Sequence, residues 1–268
     1  MGPMSFFHFL ALGLQDLRQA LLSSPKWLYL GLVDIQLRYR RSIIGPWWVT
    51  ISTGIMVGTL GFLWSKIFAS DIQNYMSFFA IGYVIWGWMS AQILDASLGF
   101  SQFESTIRQI SQPFHIYILR LLVRQALILL HNFVIVLIVL LFVGKGIPLT
   151  SLISIPAIIL VQLIIFFLSV TIAIFCTRFQ DMVQVVASLM QIIFFLSPIL
   201  WEPGALKGRA YIAEFNPVYH WLEIVRTPLL GGFPSLTSWL WSLGSLLLAI
   251  LLSFFFLGRY RSRIAYWI

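Results

Sequence analysis

The stretch Met182–Gly232, MVQVVASLMQIIFFLSPILWEPGALKGRAYIAEFNPVYHWLEIVRTPLLGG, decides how the rest of the chain is read. Its first part, Met182 to Leu200, is an apolar run long enough to cross a bilayer, and it carries Ser197-Pro198 near its end. An ordinary external loop should follow. Instead 201–232 holds Trp201, Tyr211, Ile212, Phe215, Val218, Tyr219, Trp221, Leu222, Ile224 and Val225, too apolar to lie in water. It also holds Glu202, Lys207, Arg209, Glu214, Glu223 and Arg226, with Pro203, Pro217 and Pro228 inside it and Pro234 just beyond. That is too polar and too broken to span lipid. Broken backbone at membrane depth persists only where protein buries it or where it lines a wet cavity. The segment is therefore expected to form short helices that dip back into the outer leaflet, a gate at the outer mouth of a passage.

Working outward, the composition sets the class. Apolar residues make up 60% of 268 residues, charged residues 10%, and the mean hydropathy is +0.93. A soluble domain of this size needs far more polar surface. Separate apolar runs of about 20 residues predict helical spans, without the alternating period of a barrel. The expected fold is an all-α polytopic membrane protein in a single domain, 1–268. Six transmembrane helices are predicted at 46–68, 75–98, 123–143, 153–177, 182–200 and 237–257, with interfacial helices in 1–42 and the re-entrant gate at 201–232. The net charge of +8 suits cytoplasmic loops and anionic lipid rather than nucleic acid. Cys176 is the single cysteine, so no intrachain disulfide is expected, and within an apolar run it reads as a small buried hydrophobe. The N-terminus lacks the basic region of a signal peptide, its first cation being Arg18.

Along the chain, Phe6, Phe7, Leu10, Leu14, Leu17 and Leu21 make an amphipathic surface helix interrupted by Asp16, Arg18 and Gln19. Ser24-Pro25 reads as a cap followed by proline at the first helical position, opening a helix with one apolar stripe, Leu28, Leu32, Ile35 and Tyr39. Arg38, Arg40 and Arg41 precede Gly45-Pro46-Trp47-Trp48, and cations followed by a tryptophan pair mark the cytoplasmic start of a span. Gly54 and Gly58 have a spacing that lets helices approach closely, either between copies or within one subunit. Asp95 falls near the inner end of the second span, where a carboxylate reaches water. Ser101 to Arg120 mixes charges with Ile107, Ile110, Phe114, Ile116 and Tyr117 and is broken at Pro113, as a surface helix or a docking site for another protein would be. His131 and Asn132 within the third span should bond a neighbouring helix. In the fifth span Asp181, Gln184, Ser188, Gln191 and Phe195 recur at steps of three and four and share one face. Such a stripe either bonds another helix or walls a hydrated conduit.

The cations divide. Arg18, Lys26, Arg38, Arg40, Arg41, Arg108, Arg120, Arg124, Arg178, Arg259, Arg261 and Arg263 fall inside on this layout; Lys66, Lys145, Lys207, Arg209 and Arg226 fall outside. That asymmetry orients both termini to the cytoplasm. No nucleotide-binding loop occurs, since Gly144-Lys145-Gly146 lacks the upstream glycine and the hydroxyl. His8, His115, His131 and His220 have no metal spacing, and no metal is expected. No serine sits in a nucleophile-elbow context. These absences argue against an enzyme and for a transporter that borrows ATP from a partner. Aromatic rings near the fifth span and outer mouth, among them Phe194, Phe195, Trp201, Tyr211, Phe215, Tyr219 and Trp221, either anchor the interface or offer slip surfaces for a sliding sugar polymer.

The residues resemble a known family. Asp34-Ile35-Gln36-Leu37-Arg38-Tyr39-Arg40-Arg41-Ser42 running into Gly45-Pro46-Trp47-Trp48, the Arg178-Phe179-Gln180-Asp181 turn, Phe194-Phe195-Leu196-Ser197-Pro198-Ile199, and Phe215-Asn216-Pro217 followed by Arg226 look like the membrane subunit of an ABC-2 type exporter. Within that group they resemble the polysaccharide exporters, especially the O-antigen (Wzm-type) permeases. The family turn more often reads Phe-Arg-Asp. The resemblance implies a homodimer with a conduit at the subunit interface, formed by the first and fifth spans: Gln184, Ser188, Gln191, Phe194, Phe195, Trp47 and Trp48. It implies two copies of a separate ATP-binding subunit that holds ATP and Mg, this chain binding no cofactor. The 104–117 loop would be the coupling helix, touching the ATPase through Glu104, Arg108, Gln109, Phe114 and His115. Aspartate at Phe114 and His115 is then expected to release the ATPase and spare the spans. Trp201, Tyr211, Phe215, Asn216, Pro217, Tyr219 and Trp221 would form the periplasmic gate. The implied cargo is a glycan on undecaprenyl diphosphate, whose head group would wait at Arg38, Arg40 and Arg41. A capsule or teichoic-acid exporter is the nearest alternative, and a membrane glycosyl- or acyltransferase the alternative of a different class.

Overall fold

The computed structural model describes residues 6–45, 47–144, 146–206 and 211–268. Pro46, the predicted first residue of the first span, and the outer cations Lys145, Lys207 and Arg209 lie outside the described residues. The described residues form helices and turns with no strand. α1 (Phe6–Leu22) and α2 (Ser24–Tyr39) precede the first long helix, α3 (Trp47–Ile67). α4 (Ile72–Ser97), a 3-10 turn (Ser101–Phe103), the short α5 (Glu104–Gln109) and α6 (His115–Phe142) follow. A second 3-10 turn (Leu149–Ile153) leads into α7 (Ser154–Arg178) and then α8 (Met182–Leu196). The outer segment comprises a 3-10 turn (Pro203–Leu206), α9 (Tyr211–Glu214) and α10 (Pro217–Leu229), before α11 (Leu236–Trp267).

Five helices are long and apolar enough to cross a membrane: α3, α4, α6, α7 with its leading turn, and α11. The predicted fifth span is helical only over the 15 residues of α8. At 1.5 Å per residue that is about 22 Å, short of the roughly 30 Å hydrocarbon core. The helix stops there because Ser197 turns extended ahead of Pro198, which cannot continue it. α6 begins eight residues before the predicted 123, for a reason described below, and α11 runs past 257 to Trp267.

Several hydroxyls inside these apolar helices bond backward to their own backbone, as Ser52 does to Trp48, Thr53 to Val49 and Thr177 to Ala173, which satisfies their donors within the helix. Local caps start three helices: Asp71 accepts from Asn74 N, Asn216 from Val218 N and Ser235 from Ser238 N. Ser24, expected as a cap, is the first residue of α2 instead.

α4 is the centre of the bundle, with 72% of its spanning window buried against 22% for α3 and for α11. α3, α6, α7 and α8 ring it, each touching the next. α11 packs along α7, and α1 lies against α11. One end of the bundle gathers α1, α2, α5, the start of α6 and the end of α11. The other gathers the 146–150 turn, α9 and α10.

The apolar stripes of both N-terminal helices are largely exposed, as on surface and interfacial helices, although Leu17 packs on the core, and small or acidic residues turn to the protein. Phe6, Phe7, Leu14 and Leu21 of α1 are exposed, while Gly13, Asp16 and Ala20 are buried. In α2, Leu28 and Leu32 are exposed, Gly31 is buried against Val123 and Arg120, and Asp34 faces inward. Lipid accepts the apolar side chains, so the small residues are left for close helix contact.

Candidate functional site

Three regions carry the residues singled out from the sequence. The first is the open side of the ring around α4. The ring opens between α8 and α3, and there Gly87 is exposed and Ser90 and Ala91 are half-buried on an otherwise buried helix. Small side chains thus floor a strip walled by α3 and α8. No residue of α8 is fully buried. Its inward side sets Met190, Ile193 and Phe194 on the core, and Phe194 meets Trp86 with ring centres 6.1 Å apart. Gln184, Ser188, Gln191 and Phe195 are exposed together on the outward side. Ser188 Oγ donates to Gln184 O at 3.0 Å, and neither glutamine amide has a partner among the described residues. A cavity of about 340 Å³ separates α8 from α4, lined by Trp86, Ser90, Gln191 and Phe195. Trp47 and Trp48 start α3 and are half-exposed, Trp47 lying edge-on to His131 at 5.4 Å. Arg38, Arg40 and Arg41 lead into them. Arg38 comes within 4.0 Å of Asp95, while Arg40 and Arg41 are exposed.

The second region is the outer segment, which folds back onto the bundle. α10 buries Val218, Leu222, Ile224, Val225 and Leu229 against α4, α7 and α11. Its backbone is pinned by two hydroxyls, Thr150 to Pro228 O and Ser154 to Val225 O, each at 2.8 Å. Tyr75 OH donates to Leu200 O at 2.6 Å. Trp201 Nε1 donates to Phe195 O at 3.1 Å, and Asn216 Nδ2 donates to Ser197 Oγ at 2.9 Å. Tyr211, Phe215 and Pro217 are exposed; Tyr219 and Trp221 are half-buried. Among these apolar residues Arg226 is also buried, 2% exposed. It donates from Nη1 to Pro198 O at 2.7 Å, sits over the Phe78 ring at 3.8 Å and approaches Glu223 at 3.7 Å. Burial pulls its pKa down to about 10, with Glu223 opposing the fall, so the guanidinium stays charged at neutral pH. The carbonyl that breaks α8 at Pro198 is thereby satisfied by a cation from α10.

The third region surrounds the start of α6. That helix has no local cap. Asp16 of α1, fully buried, supplies one from a distance: it accepts from Phe114 N at 3.1 Å, His115 N at 3.0 Å and His115 Nδ1 at 2.8 Å. A carboxylate at a helix N-terminus also meets the positive end of the helix dipole, which is why α6 starts as early as His115. One turn on, Arg120 pairs with Asp34 of α2 through two bonds, of 3.1 and 2.6 Å. A further turn on, Arg124 bonds Asp95 of α4 at 2.7 Å, and Gln125 bonds the same oxygen. Three aspartates from three helices thus clasp successive turns of α6.

This corrects part of the expected docking surface. Glu104, Arg108 and Gln109 are exposed on α5, with Arg108 paired to Glu104 at 2.9 Å and donating to Ile268 O. Phe114 and His115 are buried beneath them. A carboxylate at either position would enter the core, so substitution there cannot spare the fold. The clasps themselves went unread in the sequence. Asp16 and Asp34 look like interruptions of apolar stripes, and their signal was a carboxylate facing a cation at the start of an apolar run.

Residues 26–230 match the family model described as ABC-2 type transporter. No curated protein matches the chain.

Proposed function

The chain belongs to the ABC-2 type transporter family and is a membrane transport subunit, and from that premise we propose that it is the permease half of an ATP-driven polysaccharide exporter. Two copies face one another across the strip between α3 and α8. Two ATP-hydrolysing subunits dock below, on Glu104, Arg108 and Gln109, and hold ATP and Mg. The cargo is a glycan on undecaprenyl diphosphate, O-antigen before other polymers, moved from the cytoplasm to the periplasm across the bacterial inner membrane. Both termini are cytoplasmic, because Arg18, Lys26, Arg108, Arg259, Arg261 and Arg263 gather at one end of the bundle and positive charge marks the cytoplasmic side.

The observation that carries this reading is the unpartnered side of α8. Two glutamine amides without partners, a serine and a phenylalanine are costly to leave in lipid. A second copy, with a hydrated sugar chain between, would cover them with the mixed polar and aromatic surface that sugars accept. The diphosphate head group would wait at Arg38, Arg40 and Arg41, and the outer segment 201–232 would open to release the chain.

Co-expression with neighbouring candidate ATPase genes, pull-down and glycan analysis in a deletion strain test it together. The expected results are a complex with one ATPase and, on deletion, lipid-linked glycan retained in the cytoplasm. Normal surface glycan in the deletion strain would defeat the proposal. The composition of the retained glycan separates O-antigen from capsule and teichoic acid.

A further inference from the structure

Away from the α3 and α8 side, two cavities of different character adjoin. An apolar groove of about 700 Å³ runs between α7, α10 and α11, with Leu168, Trp221, Leu240, Gly244 and Leu248 along it. A polar cavity of about 460 Å³ caps it, where Glu214, Tyr219, Glu223, Ser235 and Ser238 meet. Thr237 and Trp241 line both, so the two adjoin along those residues. Thr237, Leu240, Trp241, Gly244, Ser245 and Leu248 recur at steps of one, three and four, on one face of α11. Thr237 to Leu248 spans about 16 Å at 1.5 Å per residue. One leaflet of the roughly 30 Å hydrocarbon core is about 15 Å deep. The groove therefore has the length of one leaflet, with its polar cap at the end where α10 and the start of α11 lie.

The polar cap carries negative charge. The exposed Glu214 carboxylate has no hydrogen-bond or ion-pair partner among the described residues. Glu223 accepts from Thr227 at 2.6 Å and lies 3.7 Å from Arg226. Arg226 points away from the cavity, onto Pro198 O and the Phe78 ring. Among the described residues, no lysine or arginine lines the cap. His220 is held by Ser238 Oγ at 3.0 Å and Glu214 O at 2.8 Å, and its ring stacks on Trp241 at 5.3 Å, fixing the wall between groove and cap. Burial raises the pKa of the Tyr219 phenol, with Glu223 and Glu214 adding to it and Arg226 opposing, so both carboxylates bear on the same small volume.

We propose that this composite cavity binds a zwitterionic, amine-headed phospholipid, its acyl chain along α11 and its ammonium against Glu214 and Glu223. Charge complementarity selects the head group. An anionic phospholipid, or a diphosphate-bearing carrier, would set phosphate beside two carboxylates. The site is therefore separate from any cargo path. Its walls come from α7, α10 and α11, so an occupying lipid ties the packing of the outer segment to the amine-lipid content of the membrane.

Photo-crosslinking tests this on the full chain in mixed vesicles. The probes are phosphatidylethanolamine and phosphatidylglycerol, each with a diazirine in mid-chain, and labelled residues are mapped by mass spectrometry. The expected result is labelling at Leu240, Gly244 and Leu248, preferring the amine lipid by about fivefold, the size of one partly exposed charge pair. Glu214→Gln, which disturbs no contact within the chain, should abolish the preference. Gly244→Leu meets no atom within 4 Å of its Cβ, so it should fill the groove and remove labelling there while leaving that of Leu243 and Leu247, exposed on another face. Three outcomes would overturn the proposal: equal labelling by the two lipids, a preference that survives Glu214→Gln, or groove labelling unchanged by Gly244→Leu.

Discussion

Asp16 is a fully buried carboxylate on a helix whose other side faces lipid. Such a group is tolerable only when donors surround it, and three donors of 114–115 do so, with Arg261 Nε at 3.5 Å. Asp16→Ala would strand buried donors worth about 1–3 kcal/mol each, so we expect a loss of about 3–5 kcal/mol, read as a lower melting temperature in detergent. Asp16→Asn keeps one acceptor and should fall in between; an Asp16→Ala protein as stable as wild type would show the clasp to be idle. Arg226 holds the same position in the outer half. Arg226→Met leaves Pro198 O without its donor and Glu223 without its cation, and should cost about 1–3 kcal/mol. It should also loosen the outer segment, seen as faster amide exchange over 198–230.

At the scale of elements, α1 and α11 cross so closely that a Cβ on Gly13 would meet the Phe254 backbone, and one on Gly258 the backbone of Phe9. Gly258→Val should therefore pry α1 off. Limited proteolysis is expected to cut within α1 while the five long helices stay protected, and an uncut α1 would count against this packing. The 104–115 segment divides into an exposed surface on α5 and a buried footing at the start of α6. Arg108→Glu, on the exposed side, should change stability by no more than about 0.5 kcal/mol and weaken co-purification of an ATPase. Phe114→Asp should lose both, because Phe114 packs edge-on against Phe100 at 5.4 Å in the core. Equal melting of the two variants would erase the distinction.

For the molecule as a whole, the question is what covers the strip between α3 and α8. With Cys176 the single cysteine, and buried, a Cys176→Ser background makes cysteine scanning simple. Ser188→Cys should form an intermolecular disulfide on mild oxidation in vesicles, and Leu247→Cys, exposed on α11, should not. Crosslinking of Leu247→Cys and none of Ser188→Cys would put the contact between copies on the opposite side of the molecule.

The sequence by itself determined that this chain crosses a membrane on long helices, that most of its cations fall toward one end, and that the segment holding α9 and α10 is more than a loose loop. Each follows from local composition: the length of an apolar run, the position of arginines, and prolines interrupting a hydrophobic segment. Tertiary structure alone decided which faces meet. A stripe such as Phe6, Phe7 and Leu14 predicts a buried face in water, but beside lipid the apolar side chains have no reason to turn inward, and Gly13 and Asp16 take the contact. The family resemblance places Phe114 and His115 on a docking surface, but they are buried against Asp16, about a hundred residues away. Local patterning fixes which runs are apolar helices and what solvent they tolerate; where α6 begins depends on a distant carboxylate that only the assembled bundle brings to it.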